Sequence, residues 1–174
     1  MLVVAAFSRH PEALAWAEEQ LRAKYGPILL TSPDFDFHQT AYYEASMGPN
    51  LKKRFLAFSE LVSPDCLADV KLFTIDLERQ LAESQQFADL RPLNLDPGLM
   101  MLGKFLLATT KDQAHRIYLR DGIFAEVTLR FADGAFAVWP WTYRDYQEPA
   151  VREFLEEVRD QYRRRLGEIG RGPQ

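Results

Sequence analysis

Apolar and polar residues alternate along this chain in short extended runs, broken by three stretches with helical spacing. Leu2–Phe7 is apolar throughout and predicts a buried strand. Ser8 as N-cap and Pro11 in the first turn open a helix that carries Leu14, Trp16, Ala17, Leu21 and Tyr25 and ends at Gly26. Pro27–Thr31 follows as a second strand. Asp34–Met47 alternates enough to be extended, with a bend near His38, and Gly48-Pro49-Asn50 is a turn. Leu51–Val62 fits a strand with Phe55, Ala57 and Ser59 on one side, although the same letters could open a helix. Ser63-Pro64-Asp65 has the cap, the proline and the acidic first turn of a helix. That helix is predicted to run to about Ser84 with Leu67, Val70, Lys71, Thr74, Leu77 and Leu81 as its inner stripe. Arg91–Pro97 is expected to be extended, with Asp96-Pro97-Gly98 as a turn. Leu99–Thr110 is a strand interrupted near Gly103. After Pro149, Val151, Phe154, Leu155, Val158, Tyr162, Leu166 and Ile169 repeat at helical spacing, and the Arg171–Gln174 tail is expected to fray.

This order predicts an α+β fold: a mostly antiparallel sheet with a C-terminal β-meander, packed by three helices. One domain should span 1–174, divided into an α/β half (1–98), the meander (99–147) and a C-terminal helix (148–170). No solenoid period and no low-complexity linker interrupts it.

The stretch from Ala114 to Tyr146 is the most informative, because two turns fix a register. A two-residue Asp121-Gly122 loop mixes apolar and charged groups on both faces. A three-residue loop with Gly122 left-handed sets Ile117 opposite Ala125, Leu119 opposite Ile123 and His115 opposite Val127, on one apolar face. Tyr118 then meets Phe124, and Arg116 meets Glu126. The second turn, Asp133-Gly134, pairs Phe131 with Phe136 and Leu129 with Val138. Arg116, Tyr118, Glu126, Thr128, Arg130, Trp139 and Trp141 are thereby predicted to share one polar-aromatic face, with His115 behind it in the core. A solvent-facing sheet surface has similar polarity, but two exposed tryptophans need a cover.

Composition narrows the classes. Hydrophobic residues make up 47% and charged residues 26%, enough for a core without staples. The net charge of −4 argues against wholesale electrostatic binding of nucleic acid, while leaving room for a local basic face. Cys66 is the one cysteine. It excludes an intrachain disulfide, fits a reducing compartment, and sits beside acidic residues that disfavour a thiolate. The N-terminal apolar run is too short for a signal-peptide core, and no run approaches the ~18 residues of a membrane span. A cytoplasmic protein with no membrane partner is expected.

Four segments carry a family resemblance: FDFHQTAYYEASMG (35–48), LNLDPGLM (93–100), LATTKDQAHRIYLRDGIFAEVTL (107–129) and WTYRDY (141–146). Together they resemble a small bacterial family of unknown function, some of whose members are labelled GTP-binding. The family's characteristic polar positions correspond to Thr40, Tyr42, Tyr43, Glu44, Asn94, Asp96, Lys111, His115, Arg116, Glu126, Thr128, Thr142, Tyr143 and Asp145. Ala45-Ser46 departs from the acidic residue usual there. The GTP label finds no support in the residues. There is no G-x-x-x-x-G-K-[ST] loop, and Lys111-Asp112 lacks the spacing of a guanine-reading Lys-x-Asp.

Candidate chemistry follows from the shared face. Arg116, Arg130 and Lys111 would meet an anionic group, with Trp139 or Trp141 stacking on a ring and Tyr118 and Thr128 beside them. Asn94, Asp96, Tyr43 and Glu44 would form the mouth of the cleft. This predicts a protein that binds an anionic small molecule such as a nucleotide, or a nucleic-acid (RNA) end. The alternatives are a metal-assisted hydrolase or transferase using Glu126 and Asp96, and a protein-interaction module. Asp34, Asp36, Glu44 or Asp96 could approach a divalent ion, but a solvated acidic turn explains them as well, so no metal site is assigned. The residues leave the cofactor unknown.

Overall fold

A computed structural model describes residues 1–37, 44–168 and 170, with Glu44 described by its backbone alone. Leu2–Ser8 forms β1, in the middle of the sheet. Antiparallel neighbours flank it on both sides, β4 (Leu51–Phe58) and β5 (Asn94–Met100). Its unbroken apolar run follows from burial on two faces. Leu2, Val4 and Ala6 enter one core, and Val3 and Ala5 the other.

Among the described residues, nine strands make one antiparallel sheet. Its order is β2 (Ile28–Thr31), β4, β1, β5, β6 (Lys104–Thr109), β8 (Ile123–Ala132) and β7 (Ile117–Arg120). β3 (Phe35–Phe37) also pairs with β4, and β9 (Ala135–Val138) with β8. α1 (Pro11–Tyr25) and α3 (Leu67–Glu83) cover one face, and α5 (Pro149–Glu168) the other. α2 (Glu44–Met47) and α4 (Arg144–Gln147) are single turns. The fold is α+β, as the periodicity predicts. The inner stripe of α3 is buried residue for residue, including Lys71.

Several local expectations are corrected. Asp96-Pro97-Gly98 is not a turn but lies inside β5, with Pro97 opposite Val4. The proline is tolerated because β6 joins β5 only from Gly98 onward, so Pro97 sits where β5 has β1 alone as a neighbour. The approach is so close at Gly98 that any Cβ would press into the Leu106 carbonyl oxygen. The reversal comes instead at 101–103, where the interruption near Gly103 is a hairpin. The cap of α1 is His10; Ser8 Oγ accepts the His10 N–H at 2.9 Å. Residues 44–47 are helical rather than extended, and the bend near His38 lies outside the described residues.

The first meander turn is a two-residue loop after all. Asp121 (φ 52°) and Gly122 (φ 76°) are both left-handed, as a type I′ turn requires, and Arg120 pairs with Ile123. A bulge at Leu119 then restores Tyr118 to Phe124 and Ile117 to Ala125, the pairs expected from the longer loop. The second turn keeps its predicted register from Leu129–Val138 to Phe131–Phe136.

A second bulge overturns the single polar face. Phe105 pairs with Leu129 and the next β6 residue, Leu106, with Val127, so Thr128 is the extra residue. It switches the odd positions of β8 from one core to the other. Ile123 and Ala125 pack toward α1 and α3, and Leu129 toward α5. Glu126, opposite Leu107, therefore shares a sheet face with Leu129.

Candidate functional site

β5 and β6 pair at only three positions, Gly98–Leu107, Leu99–Leu106 and Met100–Phe105. Beyond them β5 continues beside β1 and β6 beside β8. A cleft of about 850 Å³ opens where the two strands part, within the usual range for small-molecule sites. α3 supplies Lys71, Ile75 and Glu78 to it, β5 Asn94 and Asp96, and β4 Lys53. The 141–146 segment closes the far side.

Two lysines are buried here. Lys71 Nζ donates to the Leu95 carbonyl at 2.8 Å and to Asp96 at 3.3 Å. Lys53 pairs with Asp145 beneath the rings of Phe7, Phe37, Phe55 and Tyr146, whose centroids are 4.5–5.4 Å away. Aromatic faces and a carboxylate together offset the desolvation of that ammonium. Both residues stand out in the sequence as lysines at core-facing positions. Lys71 lies on an apolar helix stripe, and Lys53 alternates with Leu51, Phe55 and Ala57.

The β8 wall is a closed polar node. Arg116 Nε donates to Glu126 Oε2 at 2.8 Å, and the two side chains are 2% and 1% exposed. Arg116 also donates to the Lys111 carbonyl (2.8 Å) and the Tyr143 hydroxyl (2.6 Å). Glu126 Oε1 accepts from Thr128 Oγ1 at 3.0 Å, and His115 Nε2 stands 3.4 Å from Oε2. Thr142 Oγ1 donates to the Thr128 carbonyl, tying this wall to the 139–143 segment. Burial, with the Glu126 charge next, pushes the Tyr143 hydroxyl up to about 12, so it stays protonated.

The β5 wall is open. The Asn94 Oδ1 accepts from Arg91 at 2.6 Å, which fixes the amide so that Nδ2 is left without a partner. Across the cleft, in the 141–146 segment, the buried Tyr146 hydroxyl has none either, and burial raises its pKa well above the ordinary value. Glu78 Oε1 accepts the Leu95 N–H at 2.8 Å. Burial raises its pKa, against the pull of Lys71, Arg91 and that N–H.

The structure brings Asn94, Asp96, Lys111, Glu126 and Trp141 together around this cleft. Arg116 and Thr128 lie behind the wall that they brace. Arg130 is exposed, 5.4 Å over the Trp139 ring, and Tyr118 is exposed against Phe124; neither lines the cleft. His115 is not behind the sheet. It stacks on Trp141 at 5.0 Å, on the Glu126 side, because the ladder ends at Ile117 and frees it from strand alternation. Trp139 stacks on Trp141 at 5.1 Å, so Trp141 has two ring neighbours. Tyr43 and the Glu44 side chain lie outside the described residues. Asp34 pairs with Arg54 and Asp36 with Lys52. Among the described residues, no three of His, Cys, Asp and Glu converge to hold a metal ion. Lys53, Lys71, Glu78, Arg91 and Tyr146 are cleft residues that the sequence reading did not select.

Fold and cleft together define an α+β protein whose antiparallel sheet is split to hold a side-chain-lined cavity. Residues 1–162 match the family model described as "Domain of unknown function (DUF4416)", and the chain belongs to that family. No curated protein and no solved structure matches it. Among the described residues, no helix is long and apolar enough to cross a membrane.

Proposed function

We propose that this protein binds a small anionic organic molecule in the cleft between β5 and β6. One observation carries the reading: Asn94 and Tyr146 line the cleft together with Lys53 and Lys71, and each has a buried polar atom, Asn94 Nδ2 and Tyr146 Oη, without a partner. Leaving a buried polar group unpaired costs roughly 1–3 kcal/mol, and a ligand that pairs it recovers that cost. The carboxylates of the cleft already have donors on them, so the spare capacity is for acceptors. A nucleotide matches the size of the cavity. An RNA end matches it less well, because the charge near Trp141 is largely neutralised by Glu126 and the chain carries −4 overall. The stacking role is also weakened, since His115 and Trp139 already pack on Trp141. On this reading the protein works in the cytoplasm, and its single cysteine is compatible with a reducing setting.

A second reading, hydrolase or transferase, is favoured by Glu78, a carboxyl that holds its proton more tightly than usual beside Asp96 and Lys71. Glu126 suits acid–base work poorly, because Arg116, Thr128 and His115 hold it on both oxygens.

Trp141 lines the cleft, so its fluorescence should report binding. Titration with a panel of carboxylates, sugar phosphates and nucleotides is expected to give at least one saturable change, lost in Lys71→Met. A folded protein that gives none across the panel would overturn the proposal.

A further inference from the structure

We infer that the ligand is a small monocarboxylate with an apolar or planar body, its acid group seated against Lys71 and Asn94. This rests on the anion-site reading above and narrows it to one acid class.

Proximity to carboxylates is the first ground. Lys71 pairs with Asp96, and Glu78 lies close enough to feel both charges. A phosphomonoester near −2 set against Lys71 brings a second negative charge toward these two carboxylates, and a monocarboxylate does not.

The form of the donors is the second. Phosphate sites are commonly built from backbone N–H groups, at glycine-rich loops and helix N-termini. Among the described residues no glycine lines this cleft, and α3 meets it through residues 71–78, well past its start at Leu67. The donors are instead separate points on side chains. Lys71 has three N–H bonds, of which Leu95 and Asp96 take two. The third, together with Asn94 Nδ2, offers two donors for the two oxygens of a carboxylate. The Tyr146 hydroxyl is left for one further polar group on the body.

The apolar side of the cleft is the third ground. Phe7 and Phe37 stack at 4.8 Å, and Ile75 and Leu107 also face the space. A lining of this kind suits an aromatic or branched body rather than a polyhydroxylated one.

Matched pairs test the inference by isothermal titration calorimetry near neutral pH: acetate, phenylacetate and indole-3-acetate against methyl phosphate, phenyl phosphate and indoxyl phosphate. At least one carboxylate should bind about tenfold or more tightly than its phosphate partner. Asn94→Asp, which sets a carboxylate in place of the free donor, should abolish that binding. Tyr146→Phe, which deletes only the unpartnered hydroxyl, should weaken a hydroxyl- or carbonyl-bearing analogue such as phenylpyruvate more than phenylacetate. Phosphates that bind as tightly or more tightly would overturn the carboxylate assignment and leave the anion site standing. No binding by either series to folded protein would overturn both. Carboxylate binding that both variants retain would place the acid group elsewhere and overturn the assignment.

Discussion

The two walls of the cleft treat their polar groups in opposite ways. On the β8 side all three guanidinium nitrogens of Arg116 donate, and both oxygens of Glu126 accept. Asn94 on β5 and Tyr146 in the 141–146 segment are both buried, yet each leaves a polar atom unpaired. The Arg116–Glu126 pair is satisfied within the chain, whereas Asn94 and Tyr146 are not. Arg116, expected from the sequence to bind a ligand, and Glu126, expected to be catalytic, bond to each other and to the wall around them. Asn94, a candidate from the sequence, and Lys71, read there as part of a helix stripe, line the cleft and are the groups that the proposal sets against a ligand.

Breaking each wall should give opposite phenotypes. Glu126→Ala leaves Arg116 buried with its charge uncompensated, and urea unfolding should show a loss of about 3–5 kcal/mol. Lys71→Met should cost only about 1 kcal/mol by the same measurement, because Asp96 is 30% exposed and can turn to water. Its fluorescence response to ligand should nevertheless vanish. Similar stability losses in the two variants would erase the distinction between the walls.

Glu78 sharpens the comparison through pH. Its pKa in the folded protein is raised above the ordinary 4.5, so between those two values the native state holds more protons than the unfolded one. Stability contributed by the protonated carboxyl is complete at low pH and falls as pH rises through that window. Glu78→Gln should flatten this part of the stability profile, measured by thermal melts from acidic to neutral pH. A profile in which stability instead rises through the window because of Glu78 would mean that its charge is well compensated on this wall too.

Much of the fold is legible in the sequence because period and burial agree. The stripe of α3, the two-sided burial of β1, the register of the second hairpin and the helix after Pro149 all follow from spacing. The errors arise where tertiary pairing overrides local chemistry. Asp96-Pro97-Gly98 has the composition of a turn, but β1 holds it extended, and the parting of β6 makes the proline harmless. The bulge at Thr128 has no signature in the letters Val-Thr-Leu. It is imposed by the β6 ladder, and it dissolves the shared face on which Tyr118, Arg130 and Trp139 seemed to join Glu126. The cleft itself was half visible. Asn94, Asp96, Lys111, Glu126 and Trp141 surround it, and Lys53 and Lys71 carry a usable signal as charges set on apolar faces. What no single sequence displays is which of these groups has a partner, since Arg91, Leu95 and Asp145 are contributed from separate elements.

The sharpest test of the unpaired cleft groups is thermal unfolding of Tyr146→Phe, without ligand and with the best-bound ligand of the panel. If the hydroxyl is held for a ligand, the empty variant should melt at or above the wild type. The gain should be up to about 1 kcal/mol, or roughly 2–4 °C in a chain of this size, and the ligand-induced rise in Tm should shrink. An empty variant that melts several degrees lower, with the ligand-induced rise unchanged, would contradict the account.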